Sequence, residues 1–114
     1  MASEVSLTLR PKDQVVLSRH PDKIPVFVIR APKTDPSFPT LARPKFLVPK
    51  DLTLGMFSYV IRKHMTLPPE KALFLFINNC LEPSSTLLSE LYARHKSPDG
   101  ALRIMYTSES TFGT

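Results

Sequence analysis

Lys45-Phe46-Leu47-Val48-Pro49-Lys50-Asp51-Leu52-Thr53-Leu54-Gly55-Met56-Phe57-Ser58-Tyr59-Val60-Ile61-Arg62-Lys63-His64-Met65 is the stretch on which the fold turns. Its first five residues read as a short strand. Pro49 has no N–H to give a ladder, which suits a strand end or a sheet edge. Thr53 is placed to cap a helix that runs to Met65. In it Leu54, Phe57, Ile61 and Met65 recur at helical spacing, and Val60 widens the apolar stripe. Gly55, in the first turn, is a mild cost to that helix.

Working upstream, Ile24-Pro25-Val26-Phe27-Val28-Ile29 is rich in β-branched residues and does not alternate with polar ones. Both faces of that strand should therefore be covered. A short helix from Pro11 to Arg19 is the nearest candidate for the second face, with Pro11 in its first turn and Val15 or Val16 on one side. His20-Pro21-Asp22 ends it, because a residue before proline avoids the helical region. Ala31 to Pro44 reads as a proline-stiffened connection. Downstream, Pro68-Pro69 closes the long helix, Leu73–Ile77 is a buried strand and Asn78-Asn79 a turn. A second helix spans about Ser85 to Arg94, with Leu87, Leu88, Leu91 and Tyr92 on one side. After the turn Pro98-Asp99-Gly100, Leu102, Ile104 and Tyr106 alternate along a half-buried strand.

The order is strand, strand, helix, strand, helix, strand. The class is α+β: a mixed four-stranded sheet with an N-terminal helical extension, in the outline of a ubiquitin-like β-grasp. Residues 1–10 read as a flexible N-terminal arm, 11–107 as the domain and 108–114 as a flexible tail.

The chain has 114 residues, with one Cys, 12 Pro and 3 Gly. That length supports one core and leaves no room for a separate catalytic domain. One cysteine forms no internal disulfide, which fits a reducing compartment. The longest apolar runs fall far short of the ~20 residues of a spanning helix, and the N-terminus lacks a signal-peptide pattern. A small, soluble, intracellular domain is the expectation. Charge is uneven, with 11 Lys/Arg against 5 Asp/Glu through Met65 and 4 against 5 after it. A basic half calls for an acidic partner, whether nucleic acid, anionic membrane or acidic peptide.

Catalytic chemistry finds little support. A nucleophilic thiol needs a base or a positive field, and the spacing of His20, His64 and His95 offers none of them as a partner to Cys80. The same residues make no zinc pattern. There is no phosphate loop, and Asp13, Asp22, Asp51 and Asp99 suit turns and helix ends. Two features fit a binding module instead. The apolar strand at Lys45–Pro49, flanked by Lys45, Lys50, Arg62 and Lys63, can accept an extended peptide at its edge. By periodicity alone, Phe46, Val48, Leu52 and Phe57 read sooner as core and the lysines as a solvated face. The second feature is the tail Ser110-Thr111-Phe112-Gly113-Thr114, whose plain reading is a frayed end.

Specific motifs decide between these readings. Lys45 to Thr53, Tyr59-Val60-Ile61-Arg62-Lys63 and Leu67-Pro68-Pro69-Glu70-Lys71-Ala72 closely resemble the autophagy ubiquitin-like modifiers, the GABARAP and light-chain-three relatives. So do Glu82-Pro83, Leu87 to Tyr92, His95-Lys96, Asp99-Gly100, Thr111-Phe112-Gly113 and His20-Pro21-Asp22-Lys23-Ile24-Pro25-Val26. The resemblance covers roughly Pro11 to Gly113.

The resemblance implies a substrate of catalysis rather than an enzyme, with no cofactor and no metal. It implies that a processing cysteine protease recognises Phe112 and Gly113 and cleaves after Gly113, removing Thr114. Activating and conjugating enzymes of the autophagy system would then join the Gly113 carboxylate to phosphatidylethanolamine. Glycine lacks a Cβ to obstruct attack on that carboxylate, and two acyl chains would anchor a soluble domain stably. The implied location is cytoplasmic, and on the autophagosome membrane after lipidation.

By the same resemblance a groove reads cargo-receptor and membrane-machinery motifs of the form aromatic-x-x-aliphatic. Its aromatic pocket maps onto Val16, Pro25, Lys45 and Leu47. Its aliphatic pocket maps onto Phe46, Val48, Pro49, Leu52, Phe57 and Val60. The peptide backbone pairs with Lys45 to Val48, and acidic flanks meet Lys12, Arg19 and Lys45. Nucleic acid is a poorer partner, because no aromatic stacking platform accompanies the basic residues. The chain departs from the family at Ala101, where relatives usually carry an aromatic, at Lys12, often acidic, and at His64, usually basic. The alternatives are a non-conjugated ubiquitin-like adaptor in trafficking or cytoskeletal binding and, more weakly, a small enzyme using Cys80.

Overall fold

A computed structural model describes residues 11–32 and 34–109. The proposed arm 1–10 and the tail residues 110–114 lie outside them. The elements are α1 (Pro11–Ser18), β1 (Lys23–Arg30), β2 (Lys45–Pro49), α2 (Leu54–His64), β3 (Phe74–Ile77), β4 (Cys80–Leu81), α3 (Leu88–His95) and β5 (Leu102–Thr107). They form one mixed sheet in the order β2-β1-β5-β3-β4. β1 and β5 run parallel at its centre, and every other pairing is antiparallel.

The sheet has five strands where four were expected. Asn78 and Asn79 sit at φ 50° and 65°, the left-handed pair that a two-residue hairpin needs. The turn therefore returns the chain onto β3, pairing Ile77 with Cys80 and Phe76 with Leu81. Two residues carry no period of their own, so β4 left no trace in the hydrophobic pattern.

Alternation along the strands divides the sheet into two faces. Ile24, Val26 and Val28 of β1 and Leu102 and Ile104 of β5 meet Phe57 and Ile61 of α2 and Leu88 and Leu91 of α3, all in one buried cluster. Thr53 Oγ1 accepts the Met56 N–H at 3.2 Å, the expected cap of α2. Gly55 has a reason beyond helix propensity: its N–H donates to Ser84 O at 2.9 Å. A Cβ there would stand 3.2 Å from the Ser84 Cβ and 3.3 Å from its carbonyl oxygen.

Three further findings concern α3, the proline-rich connection and α1. α3 begins at Leu88, because Thr86 N–H turns back to Pro83 O and Thr53 bridges to Leu87. The proline-rich connection is docked: Arg30 donates to Phe38 O at 2.9 Å, Thr40 Oγ1 at 3.1 Å and Asp35 O at 2.8 Å. It buries Phe38 and Leu41. On α1, neither Val15 nor Val16 is buried, at 52% and 39% exposed. This eight-residue helix lies against β1, and the Asp13 ion pair with Lys45 ties it to β2.

Candidate functional site

β2 is an edge strand, and its hydrogen bonding shows which groups it offers. Val28 N–H donates to Pro44 O at 2.8 Å and Lys50 N–H to Asp22 O at 3.0 Å. In the register Val26↔Phe46 and Ile24↔Val48, these bonds make 44, 46, 48 and 50 the inward-bonded residues of the antiparallel ladder. The N–H and C=O groups of Lys45 and Leu47 therefore point away from β1. Pro49 adds an outward carbonyl and no donor. No described strand occupies that side, so β2 presents the two donors and two acceptors of Lys45 and Leu47 to an incoming chain, the Pro49 carbonyl being engaged by the Leu52 N–H.

Side chains leave β2 toward two different faces, which separates the two proposed pockets. On the α1 side, Lys45 and Leu47 lie opposite Phe27 and Pro25 of β1. Leu47 is 37% exposed and Val16 of α1 39%, while Pro25, opposite Leu47 on β1, is buried. Lys45 Nζ donates to Asp13 Oδ1 at 2.8 Å, so the cation expected to meet acidic flanks is already engaged by α1. Lys12 and Arg19 are exposed on and just beyond that helix.

On the α2 side, the Phe46 ring stands edge-on to Phe57, 5.4 Å between centroids at 89°. Val48 and Phe57 are fully packed, at 6% and 0% exposed, and form the floor. Phe46, Leu52 and Val60 remain half-buried against the core and form the accessible wall. Pro49 closes the strand and accepts the Leu52 N–H at 3.2 Å, which turns Leu52 back beside the floor.

Sequence reasoning missed two contributors, Phe27 and Arg103, and marked a third, His64, only as a departure from the family. His64 packs 5.5 Å from Phe46 at 77°, with Nδ1 3.0 Å from Val60 O, so it walls the aliphatic side. Its place four residues after Val60 was the available signal. Phe27, two residues from Pro25 on the same strand face, is 2% exposed beneath the α1-side cluster. Arg103 lies over Phe27, its guanidinium 5.1 Å from the ring centre, and is gripped by both carboxylate oxygens of Asp99 at 2.9 and 2.8 Å. Hydrogen bonding from Arg103 is the main cause that pulls the Asp99 carboxyl down to about 2. Ala101, noted as a departure from the family, is fully buried with its N–H donated to Asp99 Oδ1 at 3.2 Å. It presents no side chain to the groove.

Of the groups considered for catalysis, Cys80 and His95 stand apart from this site, whereas His64 walls it. Cys80 is exposed on β4. The ring nitrogens of His95 are taken up by Asn78 Nδ2 at 2.8 Å and Glu82 Oε2 at 3.1 Å. Among the described residues no group of His, Cys, Asp and Glu is placed to hold a metal ion, and no helix is long and apolar enough to cross a membrane.

A β-grasp sheet with an open edge between two apolar clusters defines a ubiquitin-like binding protein. The family model described as "Autophagy protein Atg8 ubiquitin like" matches residues 10–113, and the chain belongs to that family. Autophagy-related protein 8d of Arabidopsis thaliana is 48% identical over 98 residues, 86% of this chain and 80% of that protein. Autophagy-related protein 8 of Schizosaccharomyces pombe is 46% identical over 105 residues, 92% and 85% of the two chains. The crystal structure of Trypanosoma brucei ATG8 matches with a TM-score of 0.78 at 41% identity, covering 88% of this chain and 84% of that one. Plasmodium falciparum Atg8, solved with a peptide of that organism's Atg3, matches with a TM-score of 0.76 at 30% identity, covering 87% and 86%. The chain is thus a ubiquitin-like autophagy protein, in a family of modifiers rather than enzymes.

Proposed function

We propose that this chain is a lipid-conjugated modifier of autophagosome formation whose β2 edge docks short aromatic-x-x-aliphatic peptides. The observation that carries the docking is the outward pair of N–H groups at Lys45 and Leu47, set between apolar clusters on opposite sheet faces. A peptide added as a sixth strand meets those groups with its backbone and sends alternate side chains to the two sides. The aromatic anchor rests on Val16, Pro25 and Leu47, and the aliphatic anchor beside Phe46, Leu52 and Val60. Two buried anchors contribute about 1.5–3 kcal/mol each, and a few hydrogen bonds about 0.5–1.5 each. After association costs, micromolar affinity results. That a relative is found with an Atg3 peptide supports a partner of the conjugation machinery at such a site. Cargo receptors bearing the same motif are the second class of partner.

Conjugation at Gly113, after cleavage between Gly113 and Thr114, rests on the Phe112-Gly113 ending and on family membership. A processing protease, activating and conjugating enzymes and a phosphatidylethanolamine membrane are the partners it requires. It would carry the chain from the cytoplasm to the autophagosome membrane. Intact mass after incubation with these enzymes, ATP and phosphatidylethanolamine liposomes tests it. One lipid adduct, abolished by Gly113→Ala, is the expected result. No adduct with active enzymes would favour a non-conjugated adaptor using the same edge.

A further inference from the structure

A cavity of about 520 Å³ lies at the end of the domain where β5 finishes. Phe38 and Pro39 of the proline-rich connection and Pro68 and Ala72 of the α2–β3 loop give it apolar surface. The Phe38 ring rests against Tyr106 of β5, 6.3 Å between centroids. Ser108 and Glu109, which follow β5 directly, line the same cavity. Its charged groups are Asp35, Glu70 and Glu109 against Lys71, so carboxylates prevail there.

The chain leaves β5 fastened to the wall of this cavity. Ser108 Oγ accepts the Asp35 N–H at 3.3 Å. Glu109 N–H donates to Thr107 Oγ1 at 3.1 Å, a local bond of the kind that bends the backbone. Tyr106 O accepts the Ala31 N–H at 2.9 Å, which holds the start of the connection beside the same strand end. Ser110-Thr111-Phe112-Gly113-Thr114 begins directly after Glu109. Phe112 is three residues on, a reach of at most about 10 Å. No side chain from 110 to 114 is charged, so the segment meets the cavity's carboxylates without like-charge repulsion, whereas an acidic peptide would be repelled. Its one large apolar group suits the surface made by Phe38, Pro39 and Ala72.

We propose that this cavity is the docking site of the chain's own tail, with the Phe112 ring on Phe38, Pro39 and Ala72. A tail held there cannot at the same time lie extended in the active site of a processing enzyme. Docking and cleavage after Gly113 therefore compete, a consequence that rests on the conjugation reading above. The contact is intramolecular, which raises the effective concentration of the tail to roughly millimolar and lets one aromatic anchor suffice. A docked population of about three-quarters reduces the cleavable fraction about fourfold.

Nuclear magnetic resonance of the full chain, with no enzyme present, tests the contact. Wild type should show nuclear Overhauser effects from the Phe112 ring to Phe38, Pro39 or Ala72. Phe112→Ala should shift the Lys71 and Ala72 amide signals, and Ala72→Glu should abolish the Overhauser effects. Ala72 is exposed, and unshifted signals from β1 and β2 show that this variant is folded. No Overhauser effects in wild type, with Lys71 and Ala72 indifferent to Phe112→Ala, overturns the inference. The two amide signals should not depend on protein concentration. A dependence would assign the cavity to a second copy's tail and overturn the inference too. Cleavage by the processing protease tests the competition, and kcat/KM should rise about fourfold in Ala72→Glu. Equal or slower cleavage of that variant overturns the competition. A protease that cleaves neither chain overturns the conjugation reading, while the enzyme-free spectra still decide the contact.

Discussion

Lys45 and Asp13, 32 positions apart in sequence, form an ion pair of 2.8 Å that fastens α1 to the edge strand β2. The carboxylate is 13% exposed and the ammonium 31%, so the pair is sheltered without being buried. One helix that leaves both its valines largely in solvent is thereby held at the rim of the groove it helps to build. Neutralising the carboxylate loosens α1 and frees Lys45 for acidic ligands. Asp13→Asn is expected to cost about 0.5–1 kcal/mol, to speed hydrogen exchange in α1 and to strengthen binding of peptides with acidic residues before the core. Thermal melts, exchange rates and anisotropy read the three effects.

Leu52 and Phe57 separate binding from folding. Leu52 is half-buried at the accessible wall, and its structural tie is a backbone one, its carbonyl accepting Leu88 N–H at 2.8 Å. Leu52→Ala should weaken motif binding about fivefold or more while the domain stays folded, since one partly buried anchor contact is worth about 1–2 kcal/mol. Phe57, fully buried beneath the same wall, should cost about 3–5 kcal/mol of stability as Phe57→Ala. Paired titrations and denaturant melts distinguish the two outcomes.

How much of this was legible in sequence follows from how local each cause is. The period of Leu54, Phe57 and Ile61 and the Thr53 cap gave α2 directly, because a helix face and its cap lie within one stretch of chain. β2 was readable from its apolar run and terminal proline. The edge hydrogen-bond phase, the Asp13–Lys45 pair and the placing of Arg103 over Phe27 depend on residues far apart in sequence. Gly55 illustrates the same limit. Locally it is a weak helix residue, and only the approach of Ser84 explains it.

Gly55→Ala tests that explanation. In an open helix the change would stabilise by up to about 1 kcal/mol. Here the new methyl meets Ser84, whose carbonyl is fixed by the Gly55 N–H itself. A loss of about 1 kcal/mol is expected instead, as for a modest overpacking, measured by denaturant unfolding.

The Asp99–Arg103 grip sets an acid dependence. Asp99 has its folded-state pKa lowered to about 2, below the ordinary carboxylate range, chiefly by the Arg103 hydrogen bond. A depressed carboxylate contributes stability that is present above its unfolded pKa and lost as pH falls through the folded value. Because the pair is about one-third exposed, solvent screening limits the contribution to roughly 1 kcal/mol. Asp99→Asn should therefore destabilise by about that amount at pH 7 and by little near pH 2. Melts across this range check the window.

The central claim is that β2 receives a peptide as an added strand, and amide hydrogen exchange of the ¹⁵N-labelled protein tests it most directly. Phe46 and Val48 N–H groups already face β1, whereas those of Lys45 and Leu47 face outward. On saturation with an aromatic-x-x-aliphatic motif peptide, Lys45 and Leu47 should become at least tenfold more protected, with Phe46 and Val48 little changed, as one new backbone hydrogen bond worth about 1.4 kcal/mol would give. A peptide that binds while leaving the exchange of Lys45 and Leu47 unaltered would contradict strand addition at this edge.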